Sequence, residues 1–167
     1  MLHVVLHQPE QPGNAGTIGR SCVCAGAALH LIEPIGFHLT DRYIKRAGLD
    51  YWERLQLYRH MNYETFLTDC PGARIFYVTT KAPRTYADVR YRDGDYLMFG
   101  KESAGIPEEI LAAHPDRCVR IPMREGERSL NLSNSVSIVL YEAMRQLNFP
   151  DLVETGSLHR LTWSETP

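Results

Sequence analysis

Ser129, Asn131, Ser133 and Asn134 crowd together in the stretch Ile121–Ser135, IPMREGERSLNLSNS, at the entry to an amphipathic run. Hydroxyls and amides there meet the unsatisfied backbone amides and the positive end of a helix. They act either as plain N-caps or as one wall of a site that grips a small molecule by main chain. Just upstream, the apolar run Cys118–Ile121 is stopped by Pro122, which has no amide hydrogen to give a sheet. A second turn, Gly100-Lys101-Glu102-Ser103-Ala104-Gly105, follows the apolar segment Tyr96–Phe99. Its glycines permit close backbone approach, and Glu102 is the acid between them. It is not a Walker loop, because Glu102 stands where Ser or Thr is required. In a third cluster, Gly13, Gly16 and Gly19 recur every third residue ahead of Arg20, near the dinucleotide fingerprint but without its GxGxxG spacing. Arg20, one turn beyond Gly16, reads either as a phosphate or ribose contact or as an ordinary solvated arginine.

The chemistry these residues do not offer is equally informative. The pocket these stretches would build is nearly free of carboxylates, histidines and free-thiol pairs, which argues against glycosidase, triad hydrolase and metal chemistry. The four cysteines form no CxxC pair and read as buried free thiols. The seven histidines show no HExxH or other ligand spacing, so each is assigned to packing or surface and no metal is expected. What remains suits a ligand held by backbone and a transfer driven by positioning.

These stretches must be positioned by a scaffold, and the chain is ordinary enough to supply one. With 167 residues, 44% hydrophobic content and a formal charge of −2, it fits one globular domain, 1–150, followed by a tail, 151–167. The charge gives no global basic signal, so any nucleic-acid role rests on a local patch. Neither a signal peptide nor a membrane span is expected, which makes a cytoplasmic location the default. Strands are predicted at Leu2–Leu6, Ala28–Ile32, Arg74–Thr79, Tyr96–Phe99 and Arg117–Ile121. Helices are predicted at about Gly16–Ala27, capped by Asn14 or Thr17, at Thr40–Ala47, from Asn62 to Asp69, at Pro107–His114 and from Leu132 to Leu147. The last presents Leu132, Val136, Val139, Leu140, Ala143, Met144 and Leu147 as one apolar face, for the sheet or for a second subunit. The β-helix-β order implies right-handed parallel crossovers, hence an α/β fold with a mostly parallel sheet flanked by helices. Strands ending at Gln8, Thr79, Gly100 and Pro122 would then open on one edge and build one pocket. Arg42, Lys45, Arg46, Arg54 and Arg59, interleaved with Tyr43, Tyr51, Trp52 and Tyr58, suit phosphate contact and base stacking. Acidic Asp41, Asp50 and Glu53 among them make a salt-bridged surface an equal account.

GNAGTIGR, FGKESAGIP and IPMREGERSLNLSNS, in that order, resemble the three motifs of the SPOUT (trefoil-knot) RNA methyltransferases, and the likeness runs from Met1 to about Pro150. LHLIEPIGF, GLDYW and DGDYLMFG are similar to the short single-domain members that 2′-O-methylate the wobble nucleotide 34, cytidine or modified uridine, of leucine tRNAs. The resemblance implies a deep C-terminal trefoil knot, S-adenosylmethionine bound in a bend, and a homodimer whose site borrows residues from both chains. By position it implies a cofactor pocket at Val78, Thr79, Gly100, Ile121, Met123, Ser129, Leu130 and Asn134. It maps Arg20, Glu102 and Asn131 to the polar active-site positions. One departure stands out: Ala104 occupies a position where many close members carry arginine, so an RNA contact is missing or moved.

The implied reaction aligns an activated methyl with a ribose 2′-oxygen while the hydroxyl loses its proton. Arg20 stays protonated and so stabilises developing charge or orients a substrate phosphate that takes the proton; Tyr141 is an alternative base. Other readings are a catalytically silent RNA-binding module, action on another tRNA or rRNA position, and a Rossmann-type nucleotide binder using Gly13, Gly16 and Glu33.

Overall fold

The structure is a computed structural model that describes residues 1–37 and 51–163. Its centre is a six-stranded sheet, all of whose pairings are parallel. The strands are β1 (His3–His7), β2 (Ala28–Ile32), β3 (Leu57–His60), β4 (Ile75–Val78), β5 (Tyr96–Phe99) and β6 (Cys118–Val119), in the order β3-β2-β1-β5-β4-β6. The helices are α1 (Pro12–Ala25), α2 (Tyr63–Asp69), α3 (Glu108–Ala113) and α4 (Leu132–Gln146).

Successive residues of a strand point to opposite faces, and here both faces are apolar, as a covered parallel sheet requires. Val4, Leu6, Leu97 and Phe99 pack with Ile18 and Cys22 of α1 and with Val136, Val139, Leu140, Ala143 and Met144 of α4. Val5, Ile32, Tyr77 and Met98 pack on the other side with Phe66 of α2 and Leu111 of α3. The apolar face of α4 is therefore spent within the chain, against the sheet and α1. β1 and β5 lie side by side while the chain leaves them toward opposite edges, so their carboxyl ends form the topological switch point where open α/β sheets bind ligands.

Local chemistry accounts for where elements begin and end, and corrects several boundaries. α1 starts at Pro12, four residues before the expected Gly16, because proline at the first helical position needs no amide partner and its φ is already helical. Asn14 and Thr17 thus lie inside the helix rather than capping it. The helix stops at Ala25, where Gly26 takes the left-handed conformation at φ 63°. α2 is capped as expected: Asn62 Oδ1 accepts from the Thr65 amide at 2.8 Å. β3 was not anticipated. β6 is two residues rather than five, since Pro115–Arg117 form a 3-10 turn and Arg120 pairs instead with residues 84–86. The helix expected at Thr40–Ala47, with Arg42, Tyr43, Lys45 and Arg46, lies outside the described residues. Of the cationic and aromatic residues that follow it, Tyr51 is buried and donates its hydroxyl proton to the Gly16 carbonyl, while Arg59 is ion-paired with Glu33. Cys22 and Cys118 are buried but Cys24 is exposed, so burial does not hold for every thiol. Residues 151–163 form no helix or strand, and among the described residues no helix is long and apolar enough to cross a membrane.

Candidate functional site

Three loops meet beyond the carboxyl ends of β1, β4 and β5. They enclose a cavity of about 680 Å³, within the range of roughly 300–1,000 Å³ typical of small-molecule and cofactor sites. The floor comes from Val78 and Phe99 at the strand ends, and one wall from the turn 100–105. The opposite wall is the segment carrying Ile121, Met123, Ser129, Leu130 and Asn131. The turn at 100–105 folds back through a bridge between Lys101 and Gly105. A side-chain carbon on Gly100 would sit 2.1 Å from the Gly105 carbonyl carbon and 2.2 Å from the Ile106 nitrogen, so only glycine fits.

A polar network ties these loops together. The Glu102 carboxylate accepts from the Glu10 amide at 2.9 Å, the Gln11 amide at 3.2 Å and Asn14 Nδ2 at 2.9 Å. The N-cap residue of α1, Gln11, offers no side-chain cap of its own. Glu102 supplies the missing anion from far along the chain, where the amides and the helix dipole favour negative charge. In return, the Glu10 carboxylate accepts from the Ser103 amide at 3.0 Å and hydroxyl at 2.8 Å. Asn14 Oδ1 accepts from Asn131 Nδ2 at 3.0 Å, and Asn131 Oδ1 caps α4 by accepting from the Ser133 amide at 2.9 Å. Burial pushes the Glu102 carboxyl up, but the bonds from Asn14 and the Glu10 and Gln11 amides outweigh it and hold the group below its usual range. An ionised acid with its lone pairs so occupied is a positioning group and a poor base.

Seven of the eight expected cofactor positions line this one cavity: Val78, Thr79, Gly100, Ile121, Met123, Ser129 and Leu130. Asn134 does not; it lies exposed in the first turn of α4, with its amide 3.4 Å from Asn131 Oδ1. Glu102 and Asn131 are in the lining and joined through Asn14, while Arg20 and Tyr141 stand outside it. Arg20 is exposed on α1 with its guanidinium 5.0 Å from the centre of the Tyr51 ring, a cation–π contact. Tyr141 is 40% exposed on α4. Lys81, Lys101 and Arg128 also line the cavity and were not anticipated, nor was the Glu10–Ser103 clasp. Lys101 and Arg128 stand inside the quoted motifs, so their charge was visible although their direction was not. Ala104 is exposed on the rim, and nothing in its place carries an arginine's charge.

Comparison with known proteins agrees with this geometry. Residues 1–141 match the SpoU rRNA Methylase family. A protein of Escherichia coli K12 named tRNA (cytidine(34)-2′-O)-methyltransferase is 49% identical over 154 residues, 92% of this chain and 98% of its own. One of the same name from Methylovorus glucosotrophus is 45% identical, over 92% of this chain and all of its own. A solved structure concerning the 2-OH methylation of C/U34 on tRNA superposes with a TM-score of 0.83 at 48% identity, covering 89% of this chain and 97% of that one. An AdoMet-bound rRNA methyltransferase from Sinorhizobium meliloti gives 0.76 at 29% identity, over 87% of this chain and 56% of that one.

Proposed function

The chain belongs to the SpoU rRNA Methylase family, and from that premise we propose that it is an S-adenosylmethionine-dependent 2′-O-methyltransferase acting on nucleotide 34 of tRNA. The substrates we propose are leucine tRNAs bearing cytidine or a modified uridine there. The observation that carries this reading is the cavity, whose walls coincide with the motif positions and are joined by the Glu102–Asn14–Asn131 network. Its size suits the cofactor, its floor is apolar, and Gly100 lets the turn close tightly on Gly105 and Ile106 to form one wall. The cofactor would be held by Val78, Thr79, Gly100, Ile121, Met123, Ser129 and Leu130, and when bound it supplies an already activated methyl group. We further propose that the segments at 100–105 and 121–131 belong to a deep knot within a single domain, 1–150.

The rest of the work falls to side chains. Glu102 keeps Asn14 and Asn131 in register at the mouth of the cavity, so that the ribose enters in one orientation. Arg20, which cannot give up its proton, stabilises the alkoxide that forms as the 2′-hydroxyl is deprotonated, or holds the phosphate that accepts that proton. Arg20 and Tyr141 lie outside the cavity of their own chain, which supports a homodimer in which a second copy brings them to it.

The test is methyl transfer to leucine tRNA transcripts with labelled S-adenosylmethionine, followed by nuclease digestion and mass spectrometry. The expected product carries one ribose methyl at nucleotide 34 and is absent from a transcript with a 2′-deoxyribose there. Label at another nucleotide would move the site, and tight RNA binding without any incorporation would leave a silent binding module.

A further inference from the structure

On the face of the sheet that carries α2, parallel pairing brings three histidines from three strands into a line. His3 Nδ1 is 3.0 Å from His30 Nε2, His30 Nδ1 is 3.0 Å from His60 Nε2, and His60 Nδ1 is 2.8 Å from Asp69 Oδ2. Cys70 follows Asp69 at the end of α2, and one ring nitrogen from each of His30 and His60 lies with Cys70 Sγ in a group whose members are all within 4.8 Å of one another. His30 and His60 are 3% and 4% exposed, so their orientations are fixed by packing against Phe66 and Tyr58. None of these residues lines the methyl-transfer cavity.

We propose that His30, His60 and Cys70 form a binding site for a borderline divalent transition-metal cation of the zinc class, tying edge strand β3 and the end of α2 to β2. Two imidazoles and a thiolate are the ligand set such cations select over magnesium or calcium. The Asp69 carboxylate fixes the tautomer of His60, because it can only accept; Nδ1 carries the proton and Nε2 turns a lone pair inward. A carboxylate behind a ligating histidine is the usual support of such sites. Tetrahedral binding at about 2.0–2.1 Å places two nitrogens roughly 3.3 Å apart; the His30 and His60 rings now face one another nearly in line, with centroids 5.3 Å apart and planes 8° apart, so on binding both rings turn as the 3.0 Å contact opens. Three protein ligands leave a fourth position for water.

The protons balance as follows. Without the cation His30 Nδ1–H donates to His60 Nε2, and His3 Nδ1–H donates to His30 Nε2. On binding, His30 and His3 each shift to the other neutral tautomer, freeing His30 Nδ1, and the Cys70 thiol releases its proton to solvent. One proton leaves per cation, and no electron is transferred.

Cobalt(II) titration of the tag-free full-length protein tests this by absorption. The expected result is one cobalt per chain, with visible bands of tetrahedral intensity and a near-ultraviolet thiolate-to-cobalt band. Cys70→Ser is expected to lose the thiolate band and weaken cobalt binding at least tenfold, while Cys24→Ser keeps both. X-ray absorption on the zinc-loaded wild-type protein needs no variant, and should show two nitrogens near ~2.0 Å and one sulfur near ~2.3 Å. Folded wild-type protein without a thiolate band at saturating cobalt, a band that survives Cys70→Ser, or a zinc shell lacking sulfur would each overturn the assignment. If Cys70→Ser does not fold, the zinc shell decides.

Discussion

Two polar networks cross this molecule, and they are built in opposite ways. At the cavity, Glu102 and Asn131 bond mainly to backbone amides of helix starts and to Asn14, so the network is held by loops and serves the space between them. On the α2 face, His3, His30 and His60 bond side chain to side chain across adjacent strands, and the line is held by sheet register. The first faces a ligand-sized cavity at the loop surface; the second holds His30 and His60 buried in the core. Loop networks can be perturbed for function at modest cost in stability, whereas a register network perturbs the sheet itself.

The largest effect expected from breaking this contrast belongs to a residue of neither network. Arg20→Ala should lower turnover by about 10²–10³-fold, the usual cost of losing one donor to developing negative charge, while S-adenosylmethionine affinity stays within about twofold. Paired kinetics and calorimetric binding check it; equal turnover would remove Arg20 from the reaction. Next comes Gly100→Ala. A methyl group 2.1 Å from the Gly105 carbonyl carbon meets backbone and has nowhere to move, so a loss of about 3 kcal/mol in urea unfolding is expected, together with loss of cofactor binding.

Glu102→Gln probes the loop network directly. It removes the charge from bonds to two amides and replaces an acceptor with a donor, for an expected cost of about 2 kcal/mol. The same group sets a pH dependence. Its folded pKa is held below the ordinary 4.5, so its contribution is fully present above 4.5 and is lost as pH falls through the depressed value. Urea unfolding of wild type and Glu102→Gln across that acid range should converge as pH falls; parallel curves would show that Glu102 is not held by these bonds.

How much of this was legible in the sequence follows from the same division. The cavity was legible because its residues sit in three contiguous stretches, each following an apolar strand, and seven of eight expected positions line it. Asn134 stands outside the lining, one helical turn along from the cap, because residues that cap and residues that face a ligand differ by position on the helix and composition does not distinguish them. Glu102 was singled out, but not its partners at Glu10, Gln11 and Ser103, which depend on how two loops approach. The histidine line was illegible. His3 pairs with Ala28, and His30 with Val5 and Tyr58, so each histidine lies two residues along from its neighbour's partner. That diagonal exists only once β3 and its register are known, and the Leu57–His60 run, LYRH, carries too little apolar alternation to announce a strand.

The smallest effect gives the sharpest comparison, because it uses the same side chain on both faces. Asn131 caps α4 by accepting from the Ser133 amide at 2.9 Å, and Asn62 caps α2 by accepting from the Thr65 amide at 2.8 Å. Each replaced by Ala should cost about 1 kcal/mol of stability, the ordinary price of a lost cap. Their effects on methyl transfer should differ. Asn131 also donates to Asn14 Oδ1 at 3.0 Å and lines the cavity, so Asn131→Ala should lower turnover about tenfold beyond what its stability loss explains. Among the described residues the Asn62 side chain bonds to its own helix start alone, so Asn62→Ala should leave turnover per folded molecule unchanged while lowering the unfolding midpoint. Equal turnover losses in the two variants would mean that the loop network transmits stability alone, and would return Asn131 to the role of a simple cap.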